Sequence, residues 1–408
     1  MNLHLSIKNP EIIANIDITG SKSESNRLLI LQALFPEIEI ENLSDSDDTK
    51  VLQKALFSVE KTIDIGHAGT AMRFLTAYFA ANEGKQVVLT GSKRMQERPI
   101  KILVDALREL GADISYENQE GFPPLRIKGK QLTKSKVSVR ADVSSQYISA
   151  LMLIAPSMPE GLEIDLEKKA VSVPYLEMTR SLLQKMGVTC EFEGNKLRVA
   201  PISTISEKTI FVESDWSSAS YFYSLAALSD SAEIRLTKFY ENSRQGDSAL
   251  AKIYKPFGVE TIFSEGEIVL KKINERSPKS IQLNLSATPD LAQTIAVTCL
   301  GMKVSCEFSG LQTLKIKETD RLVALKTELE KFGATMKISE NTLEMIPPEK
   351  LPSFVEIETY DDHRMAMAFA PFALKIPIRV KNAEVVSKSY PKFWSDMETL
   401  GFRGRKNV

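Results

Sequence analysis

The chain has 408 residues, a formal net charge of −1, 43% hydrophobic residues and 7% aromatic residues. That length accommodates two or three domains with a large buried core. Balanced charge and few rings exclude a dedicated nucleic-acid binder, which carries a basic surplus and stacking surfaces, so any cationic site must be assembled locally.

The N-terminal stretch "MNLHLSIKNPEIIANIDI" has no basic segment followed by an apolar block, so no signal peptide is expected. No window approaches 18 uninterrupted apolar residues, so no membrane span is expected. Cys190, Cys299 and Cys306 show neither metal nor redox spacing and read as reduced core thiols of a cytoplasmic protein. The segment "ITGSKSESNRLLILQAL" places Gly20, Ser21, Lys22, Ser23, Ser25 and Arg27 just ahead of an apolar helix. Hydroxyls and cations at a helix N-terminus suit an anion, because unpaired N–H groups and the helix dipole already favour negative charge there.

Further along, a helix–Gly–strand unit recurs. "LVDALRELGADISYENQEGFPPLRIKG", "MTRSLLQKMGVTCEFEGNKLRV", "ALAKIYKPFGVETIFSEGEIVLK" and "ALKTELEKFGATMKISENTLEMI" each open with an amphipathic helix. Each continues through a capping Gly into two alternating strands. The glycines are Gly111, Gly187, Gly258 and Gly333, a truncated copy ends at Gly401, and the intervals are 76, 71, 75 and 68 residues. "TKVLQKALFSVEKTIDI" is taken as an earlier copy, which makes six units of about 70 residues. Between them lie helices apolar nearly all round, such as "SSQYISALMLIAP" and "HRMAMAFAPFAL", which belong inside a domain with the sheets outside.

Five more segments repeat the opening pattern: "GHAGTAMRFL", "GSKRMQERPIKILVDAL", "ADVSSQYISAL", "KIKETDRLVAL" and "TYDDHRMAMAF". Each alone has a bland reading. Ser144 and Ser145 could be helix caps, "KETDR" a capped start with a solvated ion pair, and His363 a hydrogen-bonded core residue. No Walker loop, HExxH, GxSxG or GxGxxG is present.

In order along the chain, "GSKSESNR", "GHAGTAMR", "MQERPI", "VSSQY", "VPY", "IKETDRL", "YDDHRMAMA" and "SKSYPKFW" strongly resemble the 5-enolpyruvylshikimate-3-phosphate synthase family, from about residue 18 to 396. The resemblance implies a two-domain inside-out α/β clamp, the enolpyruvyl transferase fold, with six β-α-β-α-β-β repeats, three per domain. It places one domain at 21–213 and the other at 1–20 with 214–408, with hinges near 20–22 and 212–215. It implies transfer of the enolpyruvyl group of phosphoenolpyruvate to the 5-hydroxyl of shikimate-3-phosphate, with phosphate released and no metal or cofactor. A monomer is expected, with no nucleic-acid or membrane partner.

By motif match, Ser144, Ser145, Ser172 and Lys317 are expected at the shikimate phosphate, and Ser23 and Arg27 at its carboxylate. Lys22, Arg98, Arg321, Arg364 and Lys388 are expected around phosphoenolpyruvate, with the Gly69 backbone and the Gln146 amide. Asp290 matches the carboxylate that contacts the attacking hydroxyl, Glu318 the residue that protonates the methylene, and Tyr175 the flank of the shikimate ring. Which of Asp290, Glu318 and Lys22 moves each proton stays open at this point. Two such substrates carry on the order of five to six negative charges. Without them the gathered cations are expected to repel, by about 4 kcal/mol per pair 4 Å apart at an effective dielectric near 20.

Three positions depart from the family pattern: His67 for Asn, Phe74 for Pro, and Thr313 for Asn beside the phosphate. The Phe74 change bears on sensitivity to glyphosate, the family's inhibitor. Rival readings are the related transferase acting on UDP-N-acetylglucosamine, an inactive anion-binding clamp, and a nucleic-acid-end-processing enzyme. The first uses a Lys-Asn pair and a loop Cys, whereas Lys22-Ser23 stands here and no Cys precedes Cys190.

Overall fold

The alternating pattern around Gly111 produces a compact motif in the computed structural model, which describes residues 1–7, 10–273 and 277–407. Strand Thr62–Asp64, helix Gly69–Ala81, strand Gln86–Thr90, helix Lys101–Glu109 and strands Asp113–Tyr116 and Leu125–Lys128 follow one another. The first two strands pair in parallel, the hairpin adds antiparallel, and its second strand lies inside. The same topology recurs between Lys136 and Val199 and between Ser280 and Ile346. The chain divides into two units, Gly20–Val212 and Met1–Thr19 with Glu213–Val408.

The other copies borrow strands from distant sequence. Glu11–Ile16 pairs in parallel with Ser231–Thr237 and so opens a copy whose remainder follows residue 213. Asn2–Ser6 lies between Ile378–Val380 and Arg403–Asn407 and completes the C-terminal copy. The expectation of six complete repeats is therefore corrected for the first. Among the described residues Glu39–Glu41 pairs only with Thr209–Phe211, in parallel, and no hairpin follows helix Asp47–Leu56. Phe57 and Ser58 stand where the other copies have a capping glycine, and Phe57 and Val59 project into solvent. "TIDI" opens the next sheet instead.

The five capping glycines, Gly111, Gly187, Gly258, Gly333 and Gly401, all adopt positive φ. At Gly187 the site is also crowded, since an added Cβ would lie 2.2 Å from the Ser206 hydroxyl oxygen. The apolar helices lie inside their units as their composition requires. Helix Ser145–Ile154 exposes only Gln146 appreciably, and helix Trp216–Leu228 only Ser217. Each unit closes around its own apolar core. Cys190, Cys299 and Cys306 are buried free thiols, and burial pushes the Cys190 thiol up to about 12. Among the described residues no helix is long and apolar enough to cross a membrane.

Candidate active site

In the Gly20–Val212 unit the opening motif forms the first turn of helix Lys22–Leu34, capped by the Ser21 hydroxyl, which accepts from the Glu24 N–H. Arg27 lies one turn later and is buried. Its Nε donates to Thr179 Oγ1 at 2.7 Å, its Nη1 to the Ser23 carbonyl at 2.8 Å, and its Nη2 to Ser149 Oγ and the Tyr175 carbonyl, both at 3.2 Å. Those acceptors are neutral. The Phe74 and Tyr175 rings sit 5.4 and 5.9 Å from the guanidinium carbon, within cation–π range. Burial lowers the Arg27 pKa to about 10, with Tyr175 and Glu24 opposing. Arg27 thus has neutral hydrogen-bond partners, with Glu24 as the nearby charge that acts on it. Lys22 is already paired, with Asp48 Oδ2 at 3.3 Å.

Ser144 caps helix Ser145–Ile154, its hydroxyl accepting from the Gln146 N–H at 3.3 Å, so the bland reading of this residue holds structurally. Ser172 differs. It precedes helix Val173–Lys185 in the left-handed conformation, with φ 52°, and makes no capping bond. The loop is tied to the Ser144 region by the Val171 N–H, which donates to the Ala141 carbonyl. Gln146 Nε2 reaches Thr70 Oγ1 at 3.3 Å, beside Gly69.

Arg98 lies against Gly69: a Cβ added there would be 2.6 Å from Arg98 Nη1. Pro99 stands just outside helix Lys101–Glu109, whose cap position is Ile100. The Pro99 carbonyl accepts from Tyr147 Oη at 2.6 Å and Arg73 Nη2 at 3.1 Å, which fixes the backbone next to Arg98.

In the other unit, six expected residues form one ion-paired cluster. Arg321 donates through Nε and Nη2 to both carboxylate oxygens of Asp362, at 2.6 and 3.2 Å. It also donates to Asp290 at 2.8 Å and to Glu318 at 3.0 Å. Arg364 Nη2 meets Asp290 Oδ2 at 3.2 Å, Lys317 Nζ lies 3.3 Å from Asp290, and Lys388 Nζ lies 3.5 Å from Glu318. Asp320 caps helix Arg321–Glu330, as the bland reading of "KETDR" has it, but the ion pair within that segment is largely buried: the side chains of Arg321 and Glu318 are 2% and 12% exposed. The repulsion expected among empty-site cations is thus countered within this unit, because carboxylates stand between them. Burial alone would raise Asp290, yet Arg364, Lys317 and Arg321 outweigh it and hold that carboxyl well below the usual carboxylate range. Burial lowers the Lys317 pKa, against the attraction of Asp290.

A family model described as EPSP synthase (3-phosphoshikimate 1-carboxyvinyltransferase) matches residues 51–397. The chain belongs to the EPSP synthase family. It is 46% identical over 399 residues to the 3-phosphoshikimate 1-carboxyvinyltransferase of Bacteroides fragilis strain YCH46, covering 96% of each chain. It is 35% identical over 427 residues to that of Vibrio cholerae strain M66-2, covering 97% of this chain and 99% of the relative. Among solved structures, EPSP synthase from Acinetobacter baumannii superposes with TM-score 0.78 at 21% identity, covering 99% of this chain and all of that one. The enolpyruvyl transferase NikO from Streptomyces tendae gives 0.73 at 14% identity, over 100% of this chain and 99% of its own. Those two likenesses establish the enolpyruvyl transferase fold.

The departures from the EPSP synthase pattern have clear surroundings. Phe74 is buried under Arg27, His67 Nδ1 lies 3.0 Å from Ser92 Oγ, and the Thr313 hydroxyl is buried without a hydrogen-bond partner. Sequence reasoning missed Thr179, Ser149 and Asp48, each joined to a motif residue only through the fold. Asp362 had the clearest signal, adjoining His363-Arg364 in "YDDHR".

Proposed function

We propose that this chain transfers the enolpyruvyl group of phosphoenolpyruvate to the 5-hydroxyl of shikimate-3-phosphate, the reaction that leads toward chorismate and aromatic amino acids. The Asp290–Glu318–Arg321–Arg364 cluster is the observation that carries the reading. It sets two carboxylates among cations, as paired proton transfers beside an anionic substrate require.

In this reading Ser144, Ser145, Ser172 and Lys317 hold the shikimate phosphate, and Ser23 and Arg27 its carboxylate, with Tyr175 beside the ring. Lys22, Arg98, Arg321, Arg364 and Lys388, with the Gly69 backbone and Gln146, hold phosphoenolpyruvate. Asp290 takes the proton of the attacking hydroxyl while Glu318 delivers one to the methylene carbon, giving a tetrahedral ketal phosphate. Loss of phosphate and return of a methyl proton restore the alkene. Lys22 and the arginines stabilise the charge on the departing phosphate.

The pairing of Asp290 adds a step to this account. Surrounded by three cations, it is a weak base. A substrate carboxylate arriving on Arg321 and Arg364 supplies competing negative charge and raises the Asp290 pKa, so the base strengthens when the substrate binds. Glyphosate, as the family's inhibitor, is expected to compete for the phosphoenolpyruvate cations. A monomeric cytoplasmic enzyme remains part of the proposal.

Phosphate release tests the reading. Purified protein should release phosphate only with both substrates present, and Lys22→Ala and Glu318→Ala should each lower turnover by about 10²-fold or more, as lost general-acid and charge-stabilising groups do. Silence with both substrates would reject it. A second measurement addresses the departure at Phe74. Phe74→Leu keeps most of the volume but removes the ring face from Arg27, so shikimate-3-phosphate affinity should fall roughly fivefold, for a cation–π term of about 1 kcal/mol. Unchanged affinity by calorimetry would mean that the ring only fills space.

A further inference from the structure

We propose that Asp247 is a positioning residue for Arg364, acting through the hydroxyl of Ser217. The inference rests on the reading above, in which Arg364 binds phosphoenolpyruvate.

Ser217 lies in the first turn of helix Trp216–Leu228, and Asp247 in the short 3₁₀ turn Gly246–Ala249. The Ser217 hydroxyl donates to Asp247 Oδ2 at 2.5 Å. Ser217 Oγ in turn accepts from Arg364 Nη2 at 3.3 Å. That guanidinium nitrogen also meets Asp290 Oδ2 at 3.2 Å, and Arg364 Nη1 meets the Asp290 carbonyl at 3.3 Å. A hydroxyl has one proton and two lone pairs. By taking the proton, Asp247 turns a Ser217 lone pair toward Arg364 and fixes one edge of the guanidinium. Without Asp247 the hydroxyl can rotate and aim its proton at the arginine.

Nothing in the proposed chemistry explains a carboxylate at position 247. Asp247 is 4% exposed, and burial raises its pKa to about 6 despite Arg364 and the Ser217 hydroxyl. A helix start needs no such residue, since Asp215 already caps helix Trp216–Leu228 through the Ser218 N–H at 2.7 Å. The remaining task for Asp247 is to orient Ser217.

The test is steady-state kinetics on the full chain with the two substrates varied separately, plus direct binding of shikimate-3-phosphate. Asp247→Ala and Ser217→Ala should each raise KM for phosphoenolpyruvate about tenfold, the scale of one supporting hydrogen bond. Shikimate-3-phosphate affinity should stay within about twofold, because Arg364 does not touch it in this reading. Asp247→Asn retains an acceptor for Ser217 and should recover most of the loss. The Asp247→Ala/Ser217→Ala double variant should be no worse than either single one, because both break one relay. Folded variants with an unchanged KM for phosphoenolpyruvate would overturn the proposal, as would equal weakening of both substrates. Ser217→Ala decides the matter if Asp247→Ala does not fold. Wild-type protein that releases no phosphate would remove the functional reading and this proposal with it.

Discussion

Arg321→Met should lower stability by about 3–5 kcal/mol, the cost of breaking a buried ion pair by removing one partner. Arg321 is 2% exposed and donates to Asp362, Asp290 and Glu318 at once. Methionine matches much of its length but leaves three carboxylates facing one another. Asp362 suffers most, being 0% exposed and bonded to Arg321 through both oxygens. At a few degrees per kcal/mol for a unit of this size, the melting transition should fall by roughly 10 °C. Turnover should fall as well, for a separate reason: the loss of a substrate cation. Arg321→Met/Asp362→Leu separates the two effects. Replacing both partners with apolar groups removes the most deeply stranded charge and should restore part of the stability, less the helix cap that Asp362 gives the Arg364 N–H, while turnover stays low. A single variant that melts with the wild type would show that these carboxylates do not depend on Arg321.

Cations grouped along a sequence do not reveal which carboxylates will stand between them. Lys317, Glu318 and Arg321 are neighbours in the chain, so their association could be read locally. Asp290 and Asp362 reach Arg321 from 31 and 41 residues away, and Asp247 approaches Ser217 from 30. No periodicity encodes such pairings. Arg27 shows the limit more sharply, since Thr179 meets it from 152 residues away on another helix.

The fold was legible where the signal is local. A glycine after an amphipathic helix demands positive φ, and each of the five marked positions has it. Apolar helices with no polar face had to lie inside, and they do. Strand exchange was not legible. Asn2–Ser6 and Glu11–Ile16 are near neighbours in the chain, but they serve two different sheets. Their alternation reports a buried face and says nothing of the partner, because pairing is fixed by the tertiary arrangement. The reduced first copy escaped notice for a related reason, since "TIDI" reads equally well as an ending or a beginning.

Gly69→Ala should leave the fold intact and disable the site. Gly69 is the first residue of helix Gly69–Ala81 and has no positive φ, so alanine fits its backbone. Alanine is also the better helix former, by up to about 1 kcal/mol, so the melting temperature should hold or rise slightly. The new methyl, however, would lie 2.6 Å from Arg98 Nη1 and 3.0 Å from Nη2. Such contacts are too short, and the guanidinium is the part able to move. The Pro99 carbonyl anchors the neighbouring backbone through Tyr147 and Arg73, so the shift falls on the Arg98 side chain. Losing a charge-assisted contact worth about 1.5–3 kcal/mol should raise KM for phosphoenolpyruvate roughly 10- to 150-fold. Binding of shikimate-3-phosphate alone should be nearly unchanged, because Arg98 is not among its proposed partners. Kinetics with each substrate varied, together with a melting curve, decides between the outcomes. A stable variant with a selective rise in that KM is the expected result and places the Gly69–Arg98 pair at phosphoenolpyruvate. A stable variant with wild-type kinetics would mean that Arg98 can retreat without cost and is not a substrate ligand.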